Sequence, residues 1–241
     1  MVTPQPLIRD FRTEVLAGLI RERSPAPIRR LLVVGCGSGR EAAVLADMLE
    51  ARTTGIDLVE DFDTLAAARA DLRRGDATSL DFADASFDFI YSYHALEHIP
   101  DHLQALREMR RVLRPGGGFC IGTPNRRRLA GYIGSQGVSA REKLRWNIID
   151  WKARLKGRFR NEYGAHAGFT SAELDTLLRE TFGSSEEITL PYYLRVHQRH
   201  AGMCRMLGAS GLGQFAFPCV YFTGRQATRT RIPRSSLPTA A

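Results

Sequence analysis

Leu31–Val34 is an unbroken apolar run, and glycines follow at alternate positions 35, 37 and 39. A short apolar run bounded by turn residues predicts a strand buried on both faces, as in a parallel sheet. The glycines predict a sharp turn that brings backbone close to a ligand. Glu41–Glu50 is rich in helix formers, so the unit reads strand, glycine turn, helix, the opening of a nucleotide-binding α/β fold. Thr53–Asp57 predicts a second strand, Glu60–Asp71 a second helix, and Leu72–Gly75 a short strand ending at Asp76 and Ala77. Phe87–Tyr93, aromatic and β-branched, predicts a strong strand with His94–Ile99 past its C-terminal end. Asp101–Leu113 reads as a helix whose apolar face is Leu103, Leu106, Met109, Val112 and Leu113; Pro115 and the glycines after it break the helix. Gly118–Thr123 predicts another strand, with Pro124 and Asn125 at its end.

The flanks are less regular. After Pro4 and Pro6, the residues Leu7, Phe11, Val15, Leu19 and Arg23 recur every four positions, predicting an amphipathic helix that Pro25 and Pro27 end. With its linker it occupies 1–30, and the main domain 31–228. Thr170 and Glu173 form a capping-box pattern that starts a helix reaching about Phe182. Ile188–Leu190 and Cys219–Phe222 read as final strands, Arg195–Gln214 as a helix and a glycine-rich loop, and 229–241 as a disordered tail. Residues 126–166 are too long for a plain connection and read as an inserted helical lid. Within it Leu144, Ile148, Trp151 and Leu155 share one helical face, which Trp146 and Ile149 widen.

At 241 residues the chain can bury a sizeable core, and one domain is the expectation. No apolar run approaches the roughly 20 residues that span a bilayer. The N-terminus lacks the pattern of a signal peptide, and the four cysteines show no C-x-x-C spacing. A reduced, cytoplasmic protein with no disulfide framework or zinc site is expected. The net charge of +8 is local: between Arg126 and Arg160 stand eleven Lys or Arg against Glu142 and Asp150, or +9. A basic helix with tryptophan suits a lid over the pocket or a peripheral contact of 141–160 with an anionic membrane. A patch of this charge also suits nucleic-acid phosphates. No Asn/Asp-Pro-Pro-aromatic motif or Pro-Cys nucleophile follows the fourth strand, which makes nucleic acid the less expected partner.

Asp57 lies about 20 residues beyond the first glycine, where a carboxylate can accept hydrogen bonds from both ribose hydroxyls. NAD, FAD and S-adenosylmethionine all fit that much. The run Gly35-Cys36-Gly37-Ser38-Gly39 resembles the G-x-G-x-G of class I S-adenosylmethionine-dependent methyltransferases. Gly75-Asp76-Ala77, Ser86–Ser92, His94–Ile99 and Leu113–Gly118 follow in that family's order. The resemblance covers 31–125 strongly and 169–178 loosely. It implies a Rossmann-like, doubly wound seven-stranded sheet, mostly parallel with one antiparallel strand. The implied cofactor is S-adenosylmethionine, held by Gly35, Cys36, Gly37, Gly39, Asp57, Leu58, Asp76, Ala77, Ser92 and Tyr93. In this reading Asp76 bonds the adenine amine, Ala77 offers a backbone group beside it, and Ser92 and Tyr93 flank the methionine portion. The family usually carries an acidic residue two before the first glycine; here that position is Val33, so the contact to the methionine amino group must differ.

If the acceptor is a hydroxyl or similar group, a base is needed, and His166 and His94 are the candidates. No metal is expected. The alternative is His94, Glu97 and His98, whose spacing shares a face if the segment is helical; ubiquinone-pathway O-methyltransferases, which this stretch resembles, bind a divalent metal through a similar cluster with Glu first. The expectation is methyl transfer to an oxygen or nitrogen of a small-molecule acceptor. The alternatives are a lipid-linked acceptor at a membrane, RNA, and a non-catalytic S-adenosylmethionine-binding protein.

Overall fold

The structure, a computed structural model, describes residues 8–132, 137–163 and 166–228. Pro4, Pro6, Leu7 and the expected tail 229–241 lie outside them. The strands are β1 (Arg30–Val34), β2 (Arg52–Asp57), β3 (Asp71–Arg74), β4 (Phe87–Tyr93), β5 (Leu113–Pro124), β6 (Glu186–Glu187) and β7 (Cys219–Arg225). The helices are α1 (Phe11–Arg23), α2 (Arg40–Leu49), α3 (Thr64–Ala67), α4 (His102–Val112), α5 (Ala140–Leu155), α6 (Ser171–Phe182), α7 (Thr189–Val196), α8 (Ala201–Ala209) and α9 (Gly213–Ala216).

The described residues form a seven-stranded sheet in the order β3-β2-β1-β4-β5-β7-β6. β1 to β5 pair in parallel, and β7 runs antiparallel to both of its neighbours. The apolar run of β1 is explained by cover on both faces. Leu31 and Val33 enter one core with α1, α2, α7 and α8; Leu32 and Val34 enter the other with α4 and α6. Each such fully buried side chain contributes about 1.5–3 kcal/mol over an exposed one. Strand order reverses between β1 and β4, and open α/β sheets bind ligands at the C-terminal ends of strands at such a point.

Several expectations are corrected. The helix predicted over Glu60–Asp71 shrinks to α3, because Asp63 caps its start and Asp71 already belongs to β3. Ile188–Leu190 is not a strand: Ile188 stands at the start of α7, after a two-residue β6. β5 begins at Leu113 directly after α4, so Pro115 and the glycines after it do not break the helix but lie within β5, where they are absorbed as a register shift against β4. On α1 the buried residues are Thr13, Leu16, Ala17, Leu19 and Ile20, while Phe11 is exposed; on α4 Leu103 is exposed and Ala105 buried. On α1 the four-residue count picks a stripe that slides off the packed face, since a helix turns in 3.6 residues, while on α4 only the first residue of the expected face, Leu103, falls outside it. The capping box of Thr170 and Glu173 is complete, and α6 ends at Phe182.

The largest correction concerns α5. The side that faces the body is polar and most of the apolar residues face out, while Trp146, expected to widen the apolar face, is half-buried against Tyr132. Asn147 and Asp150 are buried, whereas Leu144, Ile148, Ile149, Trp151 and Leu155 are exposed. A lid covering the pocket with that apolar face is therefore not what the chain builds.

Candidate functional site

The glycine turn after β1 runs through left-handed backbone at Gly35 and Gly37, with φ of 73° and 51°. At Gly35 a Cβ would stand 2.2 Å from that of Ala95, so the strand end closes on backbone alone. Gly37 has nothing within 4 Å of its absent side chain, and its N–H donates to Asp57 Oδ2 at 2.8 Å. Asp57 Oδ1 accepts from the Val59 N–H at 3.1 Å, so this carboxylate ties the turn to the end of β2. Gly39 caps α2 in left-handed conformation.

These elements border a cavity of about 960 Å³. Of the residues expected at the cofactor, Gly35, Cys36, Gly37, Asp57, Leu58, Asp76, Ala77 and Tyr93 line it. Gly39 and Ser92 do not: Gly39 is spent on the helix cap, and buried Ser92 donates its hydroxyl to the Val34 carbonyl at 3.0 Å, joining β1 to β4. Asp76 uses Oδ1 for the N–H and hydroxyl of Thr78, each at 2.8 Å, and these bonds hold its carboxyl below the usual range. Its other oxygen takes no hydrogen bond among the described residues and is a ready acceptor.

Sequence reasoning missed Glu41. It lies in the first turn of α2 and lines the same cavity. Tyr91, fully buried on β4, donates its hydroxyl to Glu41 Oε2 at 3.1 Å. Burial pushes the Glu41 carboxyl up to about 7. Tyr91 is the register partner of Val33, so the two side chains share a face of the sheet. The carboxylate absent at Val33 is thus replaced above the same face by one reaching in from α2. The available signal is an acidic residue just past the glycine turn, a position that equally suits a helix N-terminus.

The donor set decides between cofactor classes. Glu41, Asp57, Asp76 and Asp101 line the cavity, whereas its one guanidinium, Arg40, pairs with Asp63 at 2.7 Å. Such a lining disfavours a pyrophosphate and favours a ligand carrying ammonium and sulfonium charge with ribose hydroxyls and an amine. S-adenosylmethionine fits these residues; a dinucleotide does not.

A second cavity of about 590 Å³ adjoins the first, with Tyr93 and His94 lining both. Its wall includes Tyr192, Tyr193, Phe217, Tyr221 and Cys219 on one side and Arg128, Tyr132 and His166 on the other. A further cavity of about 700 Å³ near α6 shares no residue with the first. His94 takes left-handed backbone at φ 52°, which turns it out of β4. Its Nε2 is 3.3 Å from Cys219 Sγ and its Nδ1 is 3.3 Å from Oε1 of Glu97, a fully buried side chain. Burial opposes charge on His94, but the bonds to Cys219 and Glu97 outweigh it and raise the imidazole to about 10. His94 therefore enters neutral solution protonated, a donor and not a free base.

His166 behaves oppositely. Burial, with His98 beside it (rings 4.7 Å apart), pulls its imidazole below the ordinary 6.5. It is neutral at pH 7 and faces the second cavity. The segment 94–98 is not one helix: His94 is left-handed, and a single 3-10 turn covers Leu96–His98. Among the described residues no group of three or more His, Cys, Asp or Glu side chains is set to hold a metal ion.

Residues 32–121 match the family model of a methyltransferase domain. A 27-O-demethylrifamycin SV methyltransferase of Amycolatopsis mediterranei is 36% identical over 119 residues, which is 46% of this chain and 43% of the relative. A chloroplastic tocopherol O-methyltransferase of Arabidopsis thaliana is 33% identical over 143 residues, 56% and 40% of the two chains. The chain spans about two fifths of the length of these curated relatives. In fold it is similar to phosphoethanolamine N-methyltransferase 2 of Haemonchus contortus, solved with S-adenosyl-L-methionine: TM-score 0.55, 20% identity, covering 89% of this chain and 52% of that one.

Proposed function

We propose that this chain, which carries a methyltransferase domain on the class I fold, uses S-adenosylmethionine to methylate an oxygen or nitrogen of a small-molecule acceptor. The observation that carries this reading is the pair of adjoining cavities. One is lined by carboxylates suited to a cationic nucleoside, the other by aromatic rings and a neutral imidazole, and Tyr93 and His94 belong to both.

When bound, S-adenosylmethionine supplies an electrophilic methyl group on a positively charged sulfur. Asp57 accepts the ribose hydroxyls while its bond from Gly37 keeps it oriented. The unused oxygen of Asp76 accepts the adenine amine, and Glu41 pairs with the methionine ammonium. Tyr93 and His94 border the acceptor's approach, and the ring wall of the second cavity holds an apolar body in line. Alignment of this kind supplies a large part of the barrier reduction in a displacement between two bound groups. His166 takes the proton of a hydroxyl or ammonium acceptor, for which a neutral imidazole at pH 7 is suited.

Calorimetric titration with S-adenosylmethionine and its demethylated product tests the cofactor assignment. Binding at about micromolar Kd or tighter, worth about 8 kcal/mol, is expected for the wild type and lost in Asp57→Ala. Absence of binding to the wild type overturns the reading in favour of a non-catalytic module. With binding established, transfer of labelled methyl to panels of phenols, alcohols and amines tests the acceptor class.

A further inference from the structure

The helix α5 is docked by its polar side. Asn147 clasps Gly131, accepting its N–H at 2.7 Å and donating to its carbonyl at 3.1 Å. Asp150 pairs with Arg128 at 3.2 Å, both side chains nearly inaccessible. Arg154 donates to the carbonyls of Arg126 and Arg128 and lies 3.8 Å over the Phe159 ring. Folding α5 over as a lid would break all of these contacts.

What remains outside is an apolar stripe. Leu144, Ile148, Trp151 and Leu155 fall along one line of the helix, with Leu155 89% exposed. The Trp151 indole N–H donates to the carbonyl of Leu129, 64% exposed, whose own N–H donates to the Phe215 carbonyl. Helical spacing sets Arg141, Arg145, Lys152 and Lys156 along one flank of this stripe, and all four are exposed. Arg158 and Arg160 follow, also exposed, and none of the six lies within 4 Å of a described carboxylate in an ion pair. An apolar stripe beside a cationic one, with a tryptophan along the stripe's other edge, is the pattern of a helix lying in a bilayer interface.

The helix also adjoins the second cavity. Asp150 holds Arg128 and accepts from the Tyr132 hydroxyl at 3.3 Å, and both partners line that cavity; the Tyr132 ring is 5.1 Å from Trp146.

We infer that the outer face of α5 docks the protein on an anionic membrane surface and that an amphipathic lipid acceptor enters the second cavity from there. Charge selects the occupant: the cationic flank matches anionic headgroups, and the apolar stripe matches the acyl boundary beneath them. The docking stands independently of methyl transfer. Only the acceptor's class rests on the function proposed above.

The test uses the full chain with phosphatidylcholine vesicles, with and without phosphatidylglycerol, at low and high salt. The chain's two tryptophans are Trp146 and Trp151, both on α5, so selectively excited tryptophan emission reports on this helix alone. Expected are pelleting with anionic vesicles at low salt, a blue shift of emission, and release by salt. Lys152→Glu with Lys156→Glu lowers partitioning about tenfold or more. Leu144→Asp with Leu155→Asp abolishes the blue shift, while S-adenosylmethionine affinity and far-UV dichroism stay at wild-type values as evidence of folding. No pelleting at low salt overturns the inference. So does pelleting that the leucine pair leaves unchanged, which is adsorption by charge alone. Light scattering that shows a dimer dispersed by the leucine pair also overturns it, since a second copy then covers the face.

Discussion

Replacing Glu41 by Gln should steady the free protein at alkaline pH and weaken its hold on S-adenosylmethionine, two opposite effects of one carboxylate. In the folded chain burial raises this carboxyl from its ordinary 4.5 to about 7, and unfolding returns it to water. The folded state therefore keeps a proton that the unfolded state has already lost. Stability from this group is whole below about 4.5, declines between 4.5 and 7, and is gone above about 7. The span corresponds to about 3 kcal/mol. Glutamine keeps an oxygen to accept from Tyr91 but never ionises, so the decline vanishes; an unpaired amide NH2 costs about 1–3 kcal/mol at every pH. The quantity to compare is thus the slope and not the absolute stability. Urea unfolding from about pH 4.5 to 8 should show the wild type losing about 3 kcal/mol more than Glu41→Gln. In calorimetry the variant should bind S-adenosylmethionine about 10- to 150-fold more weakly, the loss of a charged hydrogen bond worth about 1.5–3 kcal/mol. Equal pH slopes in the two proteins, or unchanged affinity, would refute the placement of this carboxylate at the ammonium.

Gly35→Ala places a side chain at φ 73° and against Ala95; about 1–2 kcal/mol of backbone strain and about 1–3 kcal/mol of overpacking should appear as a lower urea midpoint. His166→Asn should lower kcat for a hydroxyl acceptor about 10²- to 10⁴-fold with KM little changed, and the wild-type kcat should persist below pH 6.5, because a depressed imidazole stays a base at lower pH than an ordinary one. A kcat that falls off at or above pH 6.5 assigns the base elsewhere. Asp150→Ala leaves Arg128, 4% exposed, without its carboxylate; about 3 kcal/mol of destabilisation is expected, with hydrogen exchange accelerated first along α5. Uniform exchange would show that α5 is held by other contacts.

Much of this protein is written in local sequence. The apolar run Leu31–Val34, the alternate glycines and Asp57 specify a strand, a turn and a carboxylate that need little beyond their neighbours to take shape, and the aromatic run Phe87–Tyr93 is a strand of those same residues. Periodicity also showed correctly that α5 has an apolar face and a polar one. It did not show which of them meets the body. That was decided by partners far along the chain, Gly131 for Asn147 and Arg128 for Asp150, whose buried polar groups had to be satisfied in place. Glu41 follows the same rule. Its number suggests only a helix start, and its role comes from Tyr91, a residue brought beside it by strand pairing. His94 and His166 could not be ranked as bases from residue type, because their opposite shifts come from Cys219, Glu97 and His98 packed around them. Sequence determined the elements whose energetics are local; tertiary structure decided which face is turned inward and which titratable group is free to act, because both depend on the burial and partners that only the assembled chain supplies.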